Sequence, residues 1–254
     1  CTCFCVTITH VGIKMKRTSY PSITIAIPAY NEEENIEWVV KDSLTDLPKY
    51  FKDFEVVVID DGSTDKTGSI SDRLAKRNKS VRVIHQPNGG YSKAMLAGIR
   101  NAKKEFVAYM PADGQYLVRD MKKMYPLMSR SDIVLGYRGI RKDYNLYRKI
   151  LSYGYLIFLW ILFGIVVKDL NGPTIWRTRE VNKLKKIYSV NSKGVFILAE
   201  IVARFKRKGL RISEAPSVYR SRRAGVVKNT KFRVVRDTWT DALKVWWKIL
   251  TGKI

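Results

Sequence analysis

Two kinds of hydrophobic pattern alternate along the chain. Short β-branched runs read as buried strands: Ser22-Ile-Thr-Ile-Ala-Ile-Pro28, Phe54-Glu-Val-Val-Val-Ile59, Val81-Arg-Val-Ile84, Glu105-Phe-Val-Ala-Tyr-Met110 and Ile133-Val-Leu-Gly136. Between the first two, Ile36, Val39, Val40, Leu44 and Leu47 recur at helical intervals. Asn31 followed by Glu34 is a capping-box pattern, and Glu32, Glu33 and Glu34 suit the positive end of a helix dipole, so this helix is predicted to start at Asn31. Further helices are predicted over 65–77 and through Ala94, Leu96, Ala97 and Ile99. Strands alternating with helices at this spacing imply βαβ units and a mostly parallel sheet flanked by helices, an α/β fold of Rossmann-like type.

Two later segments follow other rules. Residues 150–167 are 18 positions without a charge, around Leu156-Ile-Phe-Leu-Trp-Ile-Leu-Phe163. That length is the lower limit for a membrane span. It equally fits a buried helix, or a helix in the interface plane with Tyr153, Tyr155 and Trp160 at headgroup level. In 231–254, Phe232, Val235, Trp239, Leu243, Trp246 and Leu250 recur every three or four residues, with Arg233, Arg236, Lys244 and Lys248 largely elsewhere around the helix. This is a basic amphipathic helix, which suits a membrane surface or packing on the domain core.

Composition adds the charge. The 254 residues hold 47 Lys and Arg against 23 Asp and Glu, a net charge of +24, with 46% hydrophobic residues, as in a globular protein with a real core. The excess is uneven: 20 basic against 16 acidic residues in 1–135, and 27 against 7 in 136–254. The second half therefore calls for an anionic partner, whether nucleic acid, anionic lipid or a phosphorylated substrate. The three cysteines are Cys1, Cys3 and Cys5, which excludes a disulfide framework and favours a reducing compartment. Residues 1–14 lack a basic n-region and read as a leader before Met15-Lys16-Arg17; their cysteines with His10 could bind a soft metal. The expected organisation is a leader over 1–21, one catalytic domain over 22–220 and a basic tail over 221–254.

Ligands of open α/β sheets bind beyond the carboxyl ends of the strands. Three predicted strands end in polar clusters: Pro28-Ala-Tyr-Asn-Glu32, Asp60-Asp-Gly-Ser63 and Ala112-Asp-Gly-Gln115. Glu32, Asp60, Asp61 and Asp113 should thus meet on one rim. A single Asp in such a place is usually a turn residue; three clusters at three strand ends point to a site. Together with Asn88-Gly-Gly90, Gly136-Tyr-Arg138, Asp169-Leu-Asn-Gly172 and Arg222-Arg-Ala-Gly-Val-Val-Lys228, they resemble the family-2 glycosyltransferases of GT-A fold. The resemblance is greatest to the dolichol-phosphate mannosyltransferase branch and its polyprenyl-phosphate relatives.

The resemblance implies an inverting transfer of a sugar from a nucleotide-sugar (GDP-mannose or UDP-hexose) to a polyprenyl or dolichyl phosphate. It implies that Pro28, Tyr30 and Glu32 line the base and ribose pocket, with Asp60, Asp61 and Ala112 also at the nucleotide-sugar. Asp113 and Gln115 would bind Mg²⁺ or Mn²⁺. Asp113, Arg138 and Arg148 would be catalytic, the two arginines at the acceptor phosphate or the donor. Arg222 and Lys228 would close over the diphosphate. Where the family's metal motif reads Asp-x-Asp, this chain has Pro111 first, so one carboxylate is missing; magnesium commonly uses only one or two. Neither His10 nor His85 is placed for a catalytic relay, and His85, after a strand, reads as structural. The expected location is the cytoplasmic face of a membrane, peripheral or monotopic, on an anionic surface and without nucleic acid. The competing readings are a transferase with a hydroxyl acceptor, which would need an Asp as general base, and a basic nucleic-acid-binding protein.

Overall fold

The computed structural model describes residues 20–138, 146–184, 186–191, 195–220 and 232–253. The five hydrophobic runs form β1 (Ile23–Ala29), β2 (Phe54–Asp60), β3 (Val81–His85), β4 (Phe106–Tyr109) and β5 (Ile133–Arg138). Two strands without such runs, β6 (Thr174–Arg177) and β7 (Ile212–Ser217), complete a seven-stranded sheet in the order β3-β2-β1-β4-β6-β5-β7. β6 runs antiparallel to β4 and β5, and every other pairing is parallel. Pro216 lies in β7, an edge strand, where a missing N–H is tolerated.

The helices are α1 (Ile36–Asp46), α2 (Thr67–Arg77), α3 (Tyr91–Arg100), α4 (Leu146–Phe163), α5 (Thr178–Asn182), α6 (Ile197–Arg207) and α7 (Phe232–Leu250). The sheet is covered on both faces, so its central strands are mostly apolar, with Thr24 and Glu55 buried as a hydrogen-bonded pair. Ile23, Ile25, Ile27, Val56 and Val58 face a core with α1, α2 and the turns after Tyr116. Ala26, Val57 and Ile59 face the core built with α3 to α7. Burying each of these Val and Ile side chains is worth about 1.5–3 kcal/mol.

Three sequence expectations shift. α1 starts at Ile36 rather than Asn31. Asn31 has φ +52°, and its side chain accepts from the Thr64 N–H at 2.8 Å, so a bond to the neighbouring loop displaces the helix cap. α2 starts at Thr67, because the Asp65 carboxylate takes the Thr67 N–H at 2.9 Å. α4 ends at Phe163, where Gly164 turns the chain with φ +62°. Among the described residues no helix is long and apolar enough to cross a membrane, so the spanning reading of 150–167 is not met. Leu159 of α4 is fully buried, while Ile150, Tyr153, Ile157, Trp160 and Ile161 are exposed along one side.

α7 packs on α4, with the Phe158 and Trp239 rings 4.1 Å apart. Its inner side is Thr238, Ala242 and Val245, and Trp239, Leu243, Trp247 and Leu250 are exposed. The apolar stripe read from the sequence is therefore partly the outer face, because the domain accepts the smaller side chains.

Candidate active site

The carboxyl ends of β1, β2, β3 and β4 share one edge because all four strands are parallel. Backbone bonds carry the register into the loops: Asp61 N–H donates to Ala29 O at 2.9 Å, Gln86 N–H to Asp60 O at 3.0 Å, and Ala112 N–H to Pro28 O at 3.4 Å. The structure thus gathers Pro28, Tyr30, Glu32, Asp60, Asp61, Ala112, Asp113 and Gln115 on one rim. Tyr30 is 36% exposed there, whereas Asp60, Asp61 and Ala112 are buried.

The loops after β1 and β2 are laced together. Asn31 N–H donates to Ser63 Oγ (3.1 Å), Glu32 N–H to Thr67 Oγ1 (2.8 Å), and Lys66 N–H to the Glu33 carboxylate (3.0 Å). Glu32 also accepts from Asn35 Nδ2 at 2.8 Å. Burial opposes ionisation of Asp65, but bonds from Thr67 and Glu33 outweigh it and hold its carboxyl below the usual range.

Asp60 and Asp61 set the turns behind this surface. Asp60 Oδ1 accepts the Ser63 N–H (3.0 Å) and its Oδ2 lies 2.9 Å from His85 Nδ1. Asp61 accepts from Gln86 Nε2, Gly89 N–H and Gly90 N–H at 2.6–2.9 Å, which fixes the Asn88-Gly-Gly90 turn. Gly62 has φ +71°, and a Cβ there would come within 2.6 Å of the Asn88 backbone nitrogen. Both carboxylates are thus committed to shaping the rim, a use that sequence reasoning did not assign.

Asp113 Oδ1 accepts the Gln115 N–H at 3.1 Å, and Gln115 Nε2 donates to the Tyr219 hydroxyl at 2.7 Å. The latter bond holds the amide with its oxygen as the remaining acceptor. Tyr91 and Tyr109 meet edge to face beside this turn, 5.6 Å between centroids. Burial pushes both phenols above the ordinary tyrosine range, Tyr109 (6% exposed) further than Tyr91 (37% exposed), and the Asp113 charge adds to the rise at both. Pro111 follows β4 after one residue, Met110. Among the described residues no group of three or more His, Cys, Asp or Glu is gathered for a metal.

Arg138 is 9% exposed, and its guanidinium forks onto Asp169, Nε to Oδ2 at 2.7 Å and Nη2 to Oδ1 at 3.1 Å. It therefore holds the Asp169–Gly172 turn, and Asn171 O in that turn accepts from Tyr116 Oη at 3.1 Å. Arg148 falls in the first turn of α4. Arg222 and Lys228 lie outside the described residues, as do residues 1–14 with Cys1, Cys3, Cys5 and His10. Sequence reasoning missed Tyr91, Tyr109, Tyr116 and Tyr219, and the Arg138–Asp169 pairing. Tyr219 carried no signal, because it follows a strand without a hydrophobic run. A surface cavity of about 430 Å³ lies at the opposite end of β4, between 102–105 and Arg177–Arg179.

Comparison with known proteins gives the family of a chain with this sheet and rim. The chain belongs to glycosyl transferase family 2, whose profile matches residues 24–194, and it is a glycosyltransferase. It is 39% identical over 93 residues to the uncharacterized glycosyltransferase EpsJ of Bacillus subtilis, a match spanning 37% of this chain and only 26% of that protein. It is 27% identical to the undecaprenyl-phosphate mannosyltransferase of Micrococcus luteus, over 80% of this chain and 85% of that one. Identity is also 27% to the polyprenol monophosphomannose synthase of Mycolicibacterium smegmatis, over 80% and 79% of the two chains. In structure it resembles glucosyl-3-phosphoglycerate synthase from Mycobacterium tuberculosis, solved with Mn²⁺, uridine-diphosphate-glucose and phosphoglyceric acid. The TM-score is 0.68 at 17% identity, over 89% of this chain and 80% of that one. The fold is therefore GT-A, as the sequence resemblance implied.

Proposed function

We propose that this glycosyltransferase moves a sugar from a nucleotide-sugar, GDP-mannose or a UDP-hexose, to a polyprenyl phosphate at a membrane surface. The observation that carries the reading is that relatives named for polyprenyl-phosphate or polyprenol sugar transfer align along four-fifths of the chain. The rim is compatible with it: Pro28, Tyr30 and Glu32 form the side for base and ribose, and the braced turns at Asp60 and Asp61 back them. The Asp113–Gln115 turn is the side for the diphosphate.

Asp113 and Gln115 offer one carboxylate and one amide oxygen, a hard-oxygen set of few ligands. That set fits Mg²⁺ or Mn²⁺, which take much of their coordination from phosphate and water. When bound, such an ion neutralises charge on the departing diphosphate. The chain's own residues do the rest. The lipid phosphate, with a second pKa of about 6, is largely dianionic near neutrality and attacks the anomeric carbon without a strong general base. The new C–O bond forms to a phosphate oxygen as the bond to the nucleoside diphosphate breaks, which inverts the anomeric centre. Catalysis is then positioning and electrostatics. In this reading Arg148, Arg222 and Lys228 supply positive charge, and Arg138 contributes by fixing the Asp169–Gly172 turn.

The exposed apolar side chains of α4 and α7, and the basic second half, support seating on an anionic bilayer. The test is a donor screen with purified protein, polyprenyl phosphate in detergent or vesicles, and Mn²⁺ or Mg²⁺, following label into organic extract. Transfer with anomeric inversion is expected. Label reaching only a hydroxyl acceptor, or a retained anomer, rejects the reading.

A further inference from the structure

His85 stands at the end of β3 between two carboxylates. Its Nδ1 lies 2.9 Å from Asp60 Oδ2 and its Nε2 3.0 Å from Asp72 Oδ1. A neutral imidazole has one N–H, so one of these contacts would oppose a ring lone pair to a carboxylate; only the imidazolium donates to both. The charged groups that bear on the ring are Asp60 from β2 and Asp72 from α2.

The packing is built around this pair. Gly68 opens α2 against it, and a Cβ at position 68 would come 2.7 Å from Asp60 Oδ2 and 3.4 Å from His85 Cε1. The other oxygen of Asp60 takes the Ser63 N–H, and Ser63 Oγ takes the Asn31 N–H. A chain of hydrogen bonds thus runs from the half-exposed imidazole to both loops of the nucleotide side of the rim.

We propose that His85 is a positioning residue of the nucleotide site: as an imidazolium clamped between Asp60 and Asp72, it aims the Asp60 carboxylate that holds the Ser63 turn. This rests on the reading of the rim as a nucleotide-sugar site. The hydrogen bonds to Asp60 and then Asp72 hold its pKa above the ordinary 6.5. The sign follows. A group whose pKa is raised by folding contributes fully below its unfolded value, and the contribution is lost as pH rises through the raised one.

Two measurements on the full chain test this. In ¹⁵N-imidazole spectra, His10 is the one other histidine, and His85→Gln assigns the signals. The imidazolium, with both nitrogens of His85 protonated, should be the major form at pH 6.5, and Asp72→Asn should lower the midpoint by about half a unit. Calorimetry with UDP and GDP, each with Mn²⁺, should show affinity falling as pH rises through that midpoint. His85→Gln should bind about three- to tenfold more weakly. His85→Arg, which keeps a cation with donors for both carboxylates, should retain affinity and flatten the pH dependence. A His85 titrating at or below 6.5, or a His85→Gln variant binding like wild type at every pH, overturns the proposal. Wild type that binds neither nucleotide instead brings down the reading of the rim, and the positioning role with it.

Discussion

At the scale of single residues, the rim depends on groups that leave little latitude. Asp113 is the one carboxylate of the β4 turn. Asp113→Asn keeps the turn's acceptor oxygen but removes the charge, so transfer should fall at least about a hundredfold, as for loss of a key electrostatic group. Thermal unfolding of the variant should stay near wild type, and equal transfer rates would remove Asp113 from the chemistry. Gly172 is fixed by a different constraint. A Cβ there would lie 1.7 Å from the Gly136 carbonyl oxygen, a backbone atom that cannot step aside. Gly172→Ala should therefore destabilise the protein by about 2–3 kcal/mol, the upper range for overpacking, read as a lower denaturant midpoint. Asp113 could be singled out from its motif. The constraint on Gly172 could not, because Gly136 is 36 residues away in sequence and meets it only in the folded chain.

At the scale of elements, the sheet is held at its far end by Asp132, just before β5. Its carboxylate accepts the Arg211 N–H at 3.0 Å beside β7 and pairs with Arg177 Nε of β6 at 3.3 Å. Burial would raise its pKa, but the bonds from Arg211 and the charges of Arg211 and Arg177 prevail and hold it below the usual 3.8. A depressed carboxylate contributes stability that is present above the unfolded value and lost as pH falls through the folded one. Protection of the β5 to β7 amides, taken relative to intrinsic exchange at each pH, should therefore fall below about pH 4. Asp132→Asn should flatten that acid dependence and cost about 1–2 kcal/mol at neutral pH. The outer faces of α4 and α7 make a separate prediction. Ile161, 68% exposed, and Trp247, 60% exposed, touch little of the domain. Ile161→Glu with Trp247→Glu should lower binding to anionic vesicles in flotation assays at least tenfold, with thermal stability kept. Unchanged flotation would move the bilayer contact off these helices.

For the whole molecule, charge and apolar surface act together. The basic half should draw the protein to anionic bilayers in a salt-dependent way, because exposed charges are screened within about 10 Å at 0.1 M salt. If α4 and α7 bury apolar side chains in the bilayer, 1 M salt alone should leave the protein on anionic vesicles and detergent should release it. Full release by salt would mean that charge alone holds it there. The sequence by itself determined the parallel core of the fold, since β1 to β5 are runs that must be buried and the helices between them are periodic. It also placed the polar clusters on one edge, because parallel strands end on one side, and its motifs carried the family. Tertiary structure decided the rest. The antiparallel β6 and the edge strand β7 have no pattern strong enough to read alone, since their burial comes from neighbours distant in the chain; α6 does carry a helical period, at Ile197, Ile201 and Phe205, which sequence reasoning missed. Packing decided that the smaller side of α7 faces the domain. Contacts across loops decided that Asn31 ties two turns together instead of capping a helix, that Arg138 is spent on Asp169, and that His85 lies between two carboxylates. Each of these outcomes is set by partners far away in sequence, and local propensity carries no information about them.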